Sequence, residues 1–206
     1  MVALDQPGVE HQQSSSVAPS RCSAALKFND AEIVALSSAD TSELPEKIAA
    51  LSALATAFEQ IGGAEACMFM ARDYALERVA FGQPIGRFQA IKHKLADMYW
   101  RIELARGCAL AALDAYAASE SDWMTKAAAA RLAAIEAYEY SATENMQTHG
   151  GLGTTWEGNP QLYYRQSRAL ALELGSRYYW RDRVVGPDGF VAVSYTHLTL
   201  PTKCWV

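Results

Sequence analysis

Residues 74–89 of this chain read YALERVAFGQPIGRFQ. The stretch ends one long helical pattern, turns through glycines and a proline, and begins a second helical pattern. A turn between two helices needs only the glycines and the proline. Arg78, Phe81 and Gln89 stand in the same stretch, and they combine a cation, an aromatic ring and an amide. This combination predicts a site for a ligand that is both anionic and aromatic.

The bulk composition favours one folded domain and argues against nucleic-acid binding. With 206 residues, half of them hydrophobic, the chain can bury a sizeable core in one domain, or in one domain and a fragment of another. Its formal net charge is −5 and its pI is about 5.4, whereas a nucleic-acid-binding domain carries a basic patch or stripe. The charged residues are dispersed, so each basic residue would act singly.

The cysteines and histidines show no metal-binding pattern. Cys22, Cys67, Cys108 and Cys204 form no Cys-x-x-Cys pair, and no histidine lies at the spacing of a zinc ligand. Cys67 and Cys108 fall inside helical patterns and are predicted to be small buried side chains. The unpaired cysteines, together with the lack of a long apolar run and of a signal-peptide pattern, favour a reduced, intracellular and cytoplasmic setting without a membrane span.

Most of the chain carries helical patterns. We predict an all-α fold, an up-down helical bundle with short connections, preceded by a short β remnant. The predicted helices cover about residues 45–80, 87–118, 122–148, 160–172 and 176–185.

The predicted domain bounds follow from these patterns. Residues 1–41 form a disordered segment and the remnant of a β-domain. Within them, residues 1–23 are polar and rich in Ser, Gln and Pro, and residues 24–34 hold one or two short strands. Residues 42–186 form the helical bundle, and residues 187–206 form a non-native or disordered tail.

The tail does not match any helix of a bundle. Residues 193–203 read VSYTHLTLPTK and resemble the translated read-through of a sequencing adapter. We therefore predict that the chain is not biological from about residue 192 onward, and exclude that part from functional reasoning. A native disordered tail is the alternative.

Gly62 and Gly63 stand side by side inside the first predicted helix. Glycine weakens a helix interior, but it also lets a second helix approach closely. The pair therefore predicts either a close helix–helix contact or a locally weakened helix.

Each of the three residues in the opening stretch also has an ordinary structural explanation. Arg78 could be a cation that stabilises the C-terminal end of the first helix, or a guanidinium presented to a phosphate. Phe81 could belong to the core or form the wall of a site for a planar ring. Gln89 could be a surface residue of the second helix. The three together favour the ligand site.

A second candidate site lies at residues 145–153, which read NMQTHGGLG. One glycine is enough to end a helix, whereas Gly150, Gly151 and Gly153 leave a stretch of backbone bare and permit the close approach of a ligand. The segment is not a phosphate-binding loop of the Walker type, because no Gly-Lys-Ser/Thr follows it and no strand precedes it. We interpret His149 as a structural histidine.

The two motifs together resemble the C-terminal domain of the acyl-CoA dehydrogenases. The match covers about residues 45–185, and residues 24–40 resemble the last strands of the family's middle β-domain. The resemblance implies that the family's N-terminal helical domain and most of its β-domain are absent from this chain. Three segments match in order: residues 74–89, then Leu95-Ala96-Asp97-Met98, then Gln147-x-x-Gly150-Gly151-x-Gly153 followed by Tyr164-Arg165 and Arg168.

The resemblance implies bound FAD and assembly into homo- or hetero-oligomers through the helical bundle. In the family, the counterpart of Arg78 contacts the flavin pyrophosphate, usually across a subunit interface, and Gln147 and Gly151 match positions that contact the adenine half. The protein places the cofactor and supplies the electrostatics, while the flavin accepts the hydride. The residues that the resemblance assigns to FAD are Arg78, Phe81, Gln89, Gln147, Gly150, Gly151 and Ser176.

The resemblance also implies an acyl-CoA thioester as the substrate and a carboxylate as the base that removes its α-proton. In many members this base is the Glu of a Tyr-Glu-Gly-Thr turn, and here the matching residues 172–176 read LELGS. Matching Gly-Ser to Gly-Thr puts Leu174 at the base position and Glu173, the candidate catalytic base, one residue early. Some relatives carry the base near the start of the first helix, where this chain has Ser52 and Ala53.

Three functions are open from the sequence. The first is a part of an FAD-dependent acyl-CoA dehydrogenase that catalyses α,β-dehydrogenation. The second is a non-catalytic partner subunit of a heteromeric acyl-CoA dehydrogenase, as occurs among bacterial enzymes that act on steroid side chains. The third is a helical interaction module without flavin. A ferritin-like metal bundle is excluded, since the chain has no Glu-x-x-His pair.

We expect the 206-residue chain alone to have no measurable dehydrogenase turnover. The flavin ring of the family normally rests against the β-domain, most of which this chain lacks.

Overall fold

The computed structural model describes residues 2–18, 20–21, 23–34 and 42–186. It confirms the predicted helical bundle, while the predicted tail at residues 187–206 lies outside the described residues. The strands are β1 (Val9–Ser14), β2 (Ser23–Phe28), β3 (Val79–Ala80) and β4 (Gln83–Pro84). The helices are α1 (Leu44–Glu77), α2 (Gln89–Ala117), α3 (Trp123–His149), α4 (Pro160–Leu172) and α5 (Arg177–Val185), with short 3-10 turns at Ile85–Arg87 and Gly150–Thr154.

The four longer helices form an up-down bundle in which α1 and α3 run parallel. Helix α2 runs antiparallel to α1 and α3, and α4 runs antiparallel to α3. Because α1 and α3 run the same way, their C-terminal ends lie at the same end of the bundle. The contacts that fix these directions are Gln60–Arg131 and Met70–Asn145 between α1 and α3, Arg101–Glu136 and Lys94–Glu144 between α2 and α3, and Arg131–Leu170 and Tyr138–Gln166 between α3 and α4.

The core is built largely from alanine, which lets the helices approach one another closely. Gly63 carries this further, because a Cβ atom added there would lie 2.5 Å from Cζ of Tyr138 on α3. An added Cβ at Gly62 would meet nothing within 4 Å. Of the two explanations for the glycine pair, the close helix–helix contact therefore applies at Gly63. The buried alanines of α1, α2 and α3 include Ala50, Ala53, Ala57, Ala64, Ala71, Ala105, Ala109, Ala112, Ala127, Ala130, Ala134 and Ala137.

The first helix ends three residues earlier than predicted. The backbone leaves the helix at Arg78, with φ −69° and ψ 117°, and enters the short antiparallel pair of β3 and β4. Phe81 and Gly82 close this pair with φ angles of 53° and 78°. The positive φ angles reverse the chain within two residues, which a continuing helix could not do.

The predicted loop or disorder over residues 1–23 is wrong for Val9–Ser14. This segment pairs with Ser23–Phe28 as an antiparallel hairpin in the register Val9↔Phe28 to Ser14↔Ser23. The predicted strand is present as β2, whereas Ile33 and Val34 lie outside any strand. Both strands are mostly exposed, so β1 is held by backbone hydrogen bonds and has no alternating apolar pattern to reveal it.

Candidate functional site

The turn between α1 and α2 presents Arg78 at the end of the bundle. The N–H of Arg78 donates to the carbonyl oxygen of Tyr74 at 2.8 Å, and its own carbonyl oxygen accepts from the N–H of Ile85 at 2.8 Å. The backbone on both sides of the side chain is therefore fixed. The guanidinium is exposed and has no ion pair or hydrogen bond with the part of the chain that the structure describes. It is a cation available to an anion.

Phe81 lies at the tip of the same turn. Its side chain is 95% exposed, which is unusual for a large apolar residue, and its ring contacts Phe88 edge-on at a centroid distance of 6.2 Å. The structure rules out the core explanation for Phe81. The ring is free to contact an aromatic ligand.

Gln89 is the first residue of α2 and is exposed. The first turn of α2 contains no acidic residue, and no side chain caps its N-terminus. The free N–H groups and the positive end of the helix dipole therefore favour an anion beside Gln89.

The glycine-rich end of α3, residues 147–153, forms a second part of the candidate site, which we call the glycine corner; the α1–α2 turn with Arg78 is the arginine corner. The glycines of the glycine corner have different roles. An added Cβ at Gly150 or Gly151 would meet nothing within 4 Å, whereas one at Gly153 would lie 2.6 Å from the carbonyl oxygen of Met146. Gly153 is thus required by packing within the chain. Gly150, with φ 59°, and Gly151 leave backbone open to a ligand, next to the exposed Gln147.

A ring contact joins the two corners. His149 stacks on Tyr74 with a centroid distance of 4.2 Å and an interplanar angle of 25°, and its Nδ1 lies 2.9 Å from the carbonyl oxygen of Asn145. Tyr74 is also the residue whose carbonyl oxygen accepts the hydrogen bond from the N–H of Arg78. His149 therefore has the structural role that the sequence predicts, and it ties the glycine corner to the arginine corner.

Six of the seven predicted FAD contacts thus lie at one end of the bundle. Arg78, Phe81 and Gln89 come from the α1–α2 turn, and the other three from the end of α3. A cation, an exposed ring and open backbone are the groups that a dinucleotide with phosphates and an adenine ring requires. The residues present therefore fit FAD.

Glu173 and Ser176 lie elsewhere, along the side of the bundle. Arg21 contacts the carboxylates of both Glu173, at 3.5 Å, and Glu59, in the middle of α1. Glu59 precedes the end of α1 by about 18 residues, which is about 27 Å of helix. One chain therefore does not bring the turn that contains Glu173 next to the arginine and glycine corners.

The turn between α4 and α5 places Leu174 and Glu173 in different surroundings. Glu173 follows the last residue of α4 as its C-terminal cap, and its carboxylate forms an ion pair with Arg21. Leu174 has a φ angle of 61°, is 41% exposed, and stands at the predicted base position. Ser176 follows as the N-terminal cap of α5, without a side-chain capping hydrogen bond.

Sequence reasoning missed Arg131, which is fully buried on α3. Its guanidinium donates to the side-chain oxygen of Gln60 and to the carbonyl oxygens of Leu170 and Glu173, the last at 2.8 Å. Burial lowers the pKa of Arg131 to about 10. A single charged residue in the alanine-rich stretch Ala127–Ala134 is the sequence signal that could have revealed it.

The described part of the chain contains neither a cluster of metal ligands nor a helix suited to a bilayer. No group of His, Cys, Asp or Glu side chains in residues 2–18, 20–21, 23–34 and 42–186 could hold a metal ion. In the same residues, no helix is both long and apolar enough to span a bilayer.

Comparisons with known proteins identify the family to which this bundle belongs. The family model described as acyl-CoA dehydrogenase, C-terminal domain, matches residues 46–185. Acyl-CoA dehydrogenase IpdE2 of Mycobacterium tuberculosis is 44% identical over 129 residues, which cover 63% of this chain and 39% of IpdE2. The chain thus spans about two fifths of the length of that relative.

Two solved structures show the same fold. Butyryl-CoA dehydrogenase from Megasphaera elsdenii superposes with a TM-score of 0.82 at 24% identity, over 87% of this chain and 48% of that one. The ChsE4-ChsE5 complex from Mycobacterium tuberculosis superposes with a TM-score of 0.81 at 26% identity, over 89% of this chain and 50% of that one. With the family model matched over residues 46–185, the chain belongs to the acyl-CoA dehydrogenase family.

Proposed function

We propose that this chain is the C-terminal helical domain of an FAD-dependent acyl-CoA dehydrogenase, which forms a double bond between the α and β carbons of an acyl-CoA thioester. The observation that carries the proposal is the pairing of the two corners by the Tyr74–His149 stack. The pairing sets the exposed guanidinium of Arg78 and the open backbone of Gly150 and Gly151 at one end of the bundle.

In the proposed complex, Arg78 neutralises the pyrophosphate of FAD. Phe81 provides an apolar wall, and Gln89 stands at a helix N-terminus that favours the phosphates. Gln147, with the open backbone that follows it, accommodates the adenine half. FAD, when bound, supplies the acceptor for the hydride that leaves the β carbon.

We further propose that the two halves of the site come from different subunits. The corner with Arg78 and the turn with Leu174 and Ser176 are separated by about 27 Å of helix within one chain. An oligomer can supply the corner of one subunit and the turn of another to one FAD. Homo- and hetero-oligomers both satisfy this requirement.

The proposal is tested by FAD binding to the full-length protein, in wild type and Arg78→Ala. Loss of a hydrogen-bonded cation from a phosphate is expected to weaken FAD binding about 10- to 100-fold. The matched control is Arg72→Ala, which removes a nearby exposed arginine of α1 whose guanidinium pairs with Asp73. Flavin absorbance after gel filtration and titration calorimetry measure the effect. If Arg78→Ala bound FAD as tightly as the control Arg72→Ala, the proposed role of Arg78 would be contradicted.

The second candidate function is a non-catalytic partner subunit. The specific observation that favours it is the turn after α4, where Leu174 stands at the base position and the Glu173 carboxylate lies 3.5 Å from the guanidinium of Arg21. Without a general base, the rate of α-proton removal falls by about 10²- to 10⁴-fold.

Anaerobic mixing with an acyl-CoA distinguishes the two candidates. A catalytic subunit bleaches its flavin without any other protein. A partner subunit does so only when it is co-purified with a second dehydrogenase subunit that carries a base.

A further inference from the structure

Arg131 is the one fully buried charged side chain in the described part of the chain. A buried guanidinium persists only where hydrogen bonds replace its lost hydration. Its partners come from two other helices: the side chain of Gln60 on α1, and the carbonyl oxygens of Leu170 and Glu173 at the end of α4. Arg131 therefore connects three helices at one point.

The two carbonyl acceptors explain why a cation is needed at this place. The last carbonyl groups of a helix have no partner within the helix, and they carry the negative end of its dipole. The last turn of α4 contains no basic residue of its own. Helix α3 supplies through Arg131 the cation that α4 lacks.

The turn that follows these carbonyls is strained. Leu174 has φ 61° and Gly175 has φ 114°, both in the region that L-residues with a Cβ rarely adopt. A leucine stays in this conformation only where its surroundings impose it. On one side, Arg131 holds the carbonyl oxygen of Glu173; on the other, a Cβ added to Gly175 would lie 2.6 Å from Cδ1 of Tyr179.

The charges outside the turn do not replace Arg131. Arg21 contacts the side-chain carboxylates of Glu59 and Glu173, and not the backbone of the turn. The backbone conformation is thus set from the buried side, and the surface ion pairs act on the side chain of residue 173 alone.

We infer that Arg131 is a positioning residue of the acyl-CoA site, which holds residues 173–175 in the conformation that presents the side chain of residue 174 to the substrate. The conformation does not depend on whether residue 174 is a leucine or a carboxylate, because the hydrogen bonds are made to the backbone. That residue 174 faces the substrate rests on the proposed function. That Arg131 holds the backbone of the turn rests only on its hydrogen bonds to the carbonyl oxygens of Leu170 and Glu173.

The first experiment measures hydrogen exchange in the full chain. In Arg131→Met, exchange at the amides of Glu173 and Gly175 is expected to rise by about tenfold or more, since a charge-assisted hydrogen bond is lost. Arg131→Lys keeps a cation and should rescue most of the protection. The matched control, Arg101→Met, removes a guanidinium that contacts Glu136 and has no contact with α4; it should leave both amides unchanged.

The second experiment measures how the flavin responds to the thioester in the full-length protein. Crotonyl-CoA is titrated while the visible flavin band is followed. Arg131→Met should raise the apparent dissociation constant by about tenfold at unchanged FAD content, with partial rescue in Arg131→Lys and none of the effect in Arg101→Met. A purely structural role would alter FAD content and the melting temperature without this selective change.

The exchange and titration results together show whether Arg131 positions the turn for the substrate. Unchanged exchange at Glu173 and Gly175 overturns the inference, as does faster exchange with an unchanged crotonyl-CoA titration. If Arg131→Met does not fold, the same comparison is made with Arg131→Lys, where a rise of about threefold confined to the turn supports the inference and a uniform rise overturns it. A wild-type protein that binds no flavin overturns the proposed function instead, and the exchange experiment alone then tests whether Arg131 holds the turn.

Discussion

Gly62 and Gly63 allow the packing of α1 against α3 to be tested with two adjacent substitutions of opposite effect. In Gly63→Ala, the new methyl carbon would lie 2.5 Å from Cζ and 2.8 Å from both Cε2 and Oη of Tyr138. Tyr138 is fully buried, and its hydroxyl donates to the side-chain oxygen of Gln166 at 3.1 Å. The ring therefore has no room into which to withdraw.

The expected change combines two terms. Overpacking a well-filled core costs about 1–3 kcal/mol, and contacts with an enclosed ring place Gly63→Ala at the upper end. Replacing glycine by alanine within a helix contributes about 1 kcal/mol of stability. Gly63→Ala should thus lower the free energy of unfolding by about 2 kcal/mol. Gly62→Ala, which meets nothing within 4 Å, should raise it by about 1 kcal/mol.

Urea unfolding followed by circular dichroism measures both variants. With an m-value of about 2 kcal/mol/M, Gly63→Ala lowers the midpoint by about 1 M and Gly62→Ala raises it by about 0.5 M. In the double variant Gly63→Ala/Tyr138→Leu, the alanine should cost less than it does beside the ring. A midpoint for Gly63→Ala at or above that of wild type would mean that Gly63 does not set the distance between α1 and α3.

Two further predictions concern buried and strained groups. Burial raises the pKa of the Cys67 thiol from 9.0 to about 12, so the folded state keeps a proton that the unfolded chain has released. The free energy of unfolding should therefore fall as the pH rises from about 9 towards 12, by up to about 1.4 kcal/mol per pH unit from this group. Urea unfolding from about pH 8 to about pH 11 should show the stability advantage of wild type over Cys67→Ala shrinking, whereas a constant difference would contradict it. At the turn after α4, Leu174→Gly should raise stability by about 1 kcal/mol, because glycine adopts φ 61° without strain. The control Leu172→Gly, at the exposed last residue of α4, should lower it by about 0.5–1 kcal/mol, and thermal unfolding that shows the same sign for both would argue against strain at Leu174.

The helices could be predicted because their signals are local. Alanine-rich segments with apolar residues at helical spacing form helices wherever they pack, and glycine or proline ends them. The predicted bounds of 122–148 for the third helix differ by one residue at each end from Trp123–His149. The strand β1 could not be predicted, because its polar residues on both faces give no periodic pattern and its pairing with the predicted strand β2 is not encoded locally.

The candidate site could be predicted only in parts. The arginine, the phenylalanine and the glycine-rich helix end are each visible in the sequence, as is the leucine at the predicted base position, but the exposure of Phe81 is not. The separate roles of Gly151 and Gly153 were not visible, because both look like backbone without a side chain. The two glycines differ only in their surroundings: a Cβ added at Gly153 would meet the carbonyl oxygen of Met146, whereas one added at Gly151 would meet nothing within 4 Å.

Local patterns were enough to locate the helices and to name residues that could contact a dinucleotide, since capping, periodicity and backbone freedom act over a few residues. Only the folded bundle shows which of these residues meet. Tyr74 and His149 stand far apart in the chain and stack because α1 and α3 run parallel with Gly63 against Tyr138. Arg131 reaches carbonyl oxygens of α4 that lie 39 and 42 residues further along the chain. Such contacts depend on how whole helices pack, and no local pattern of residues encodes them.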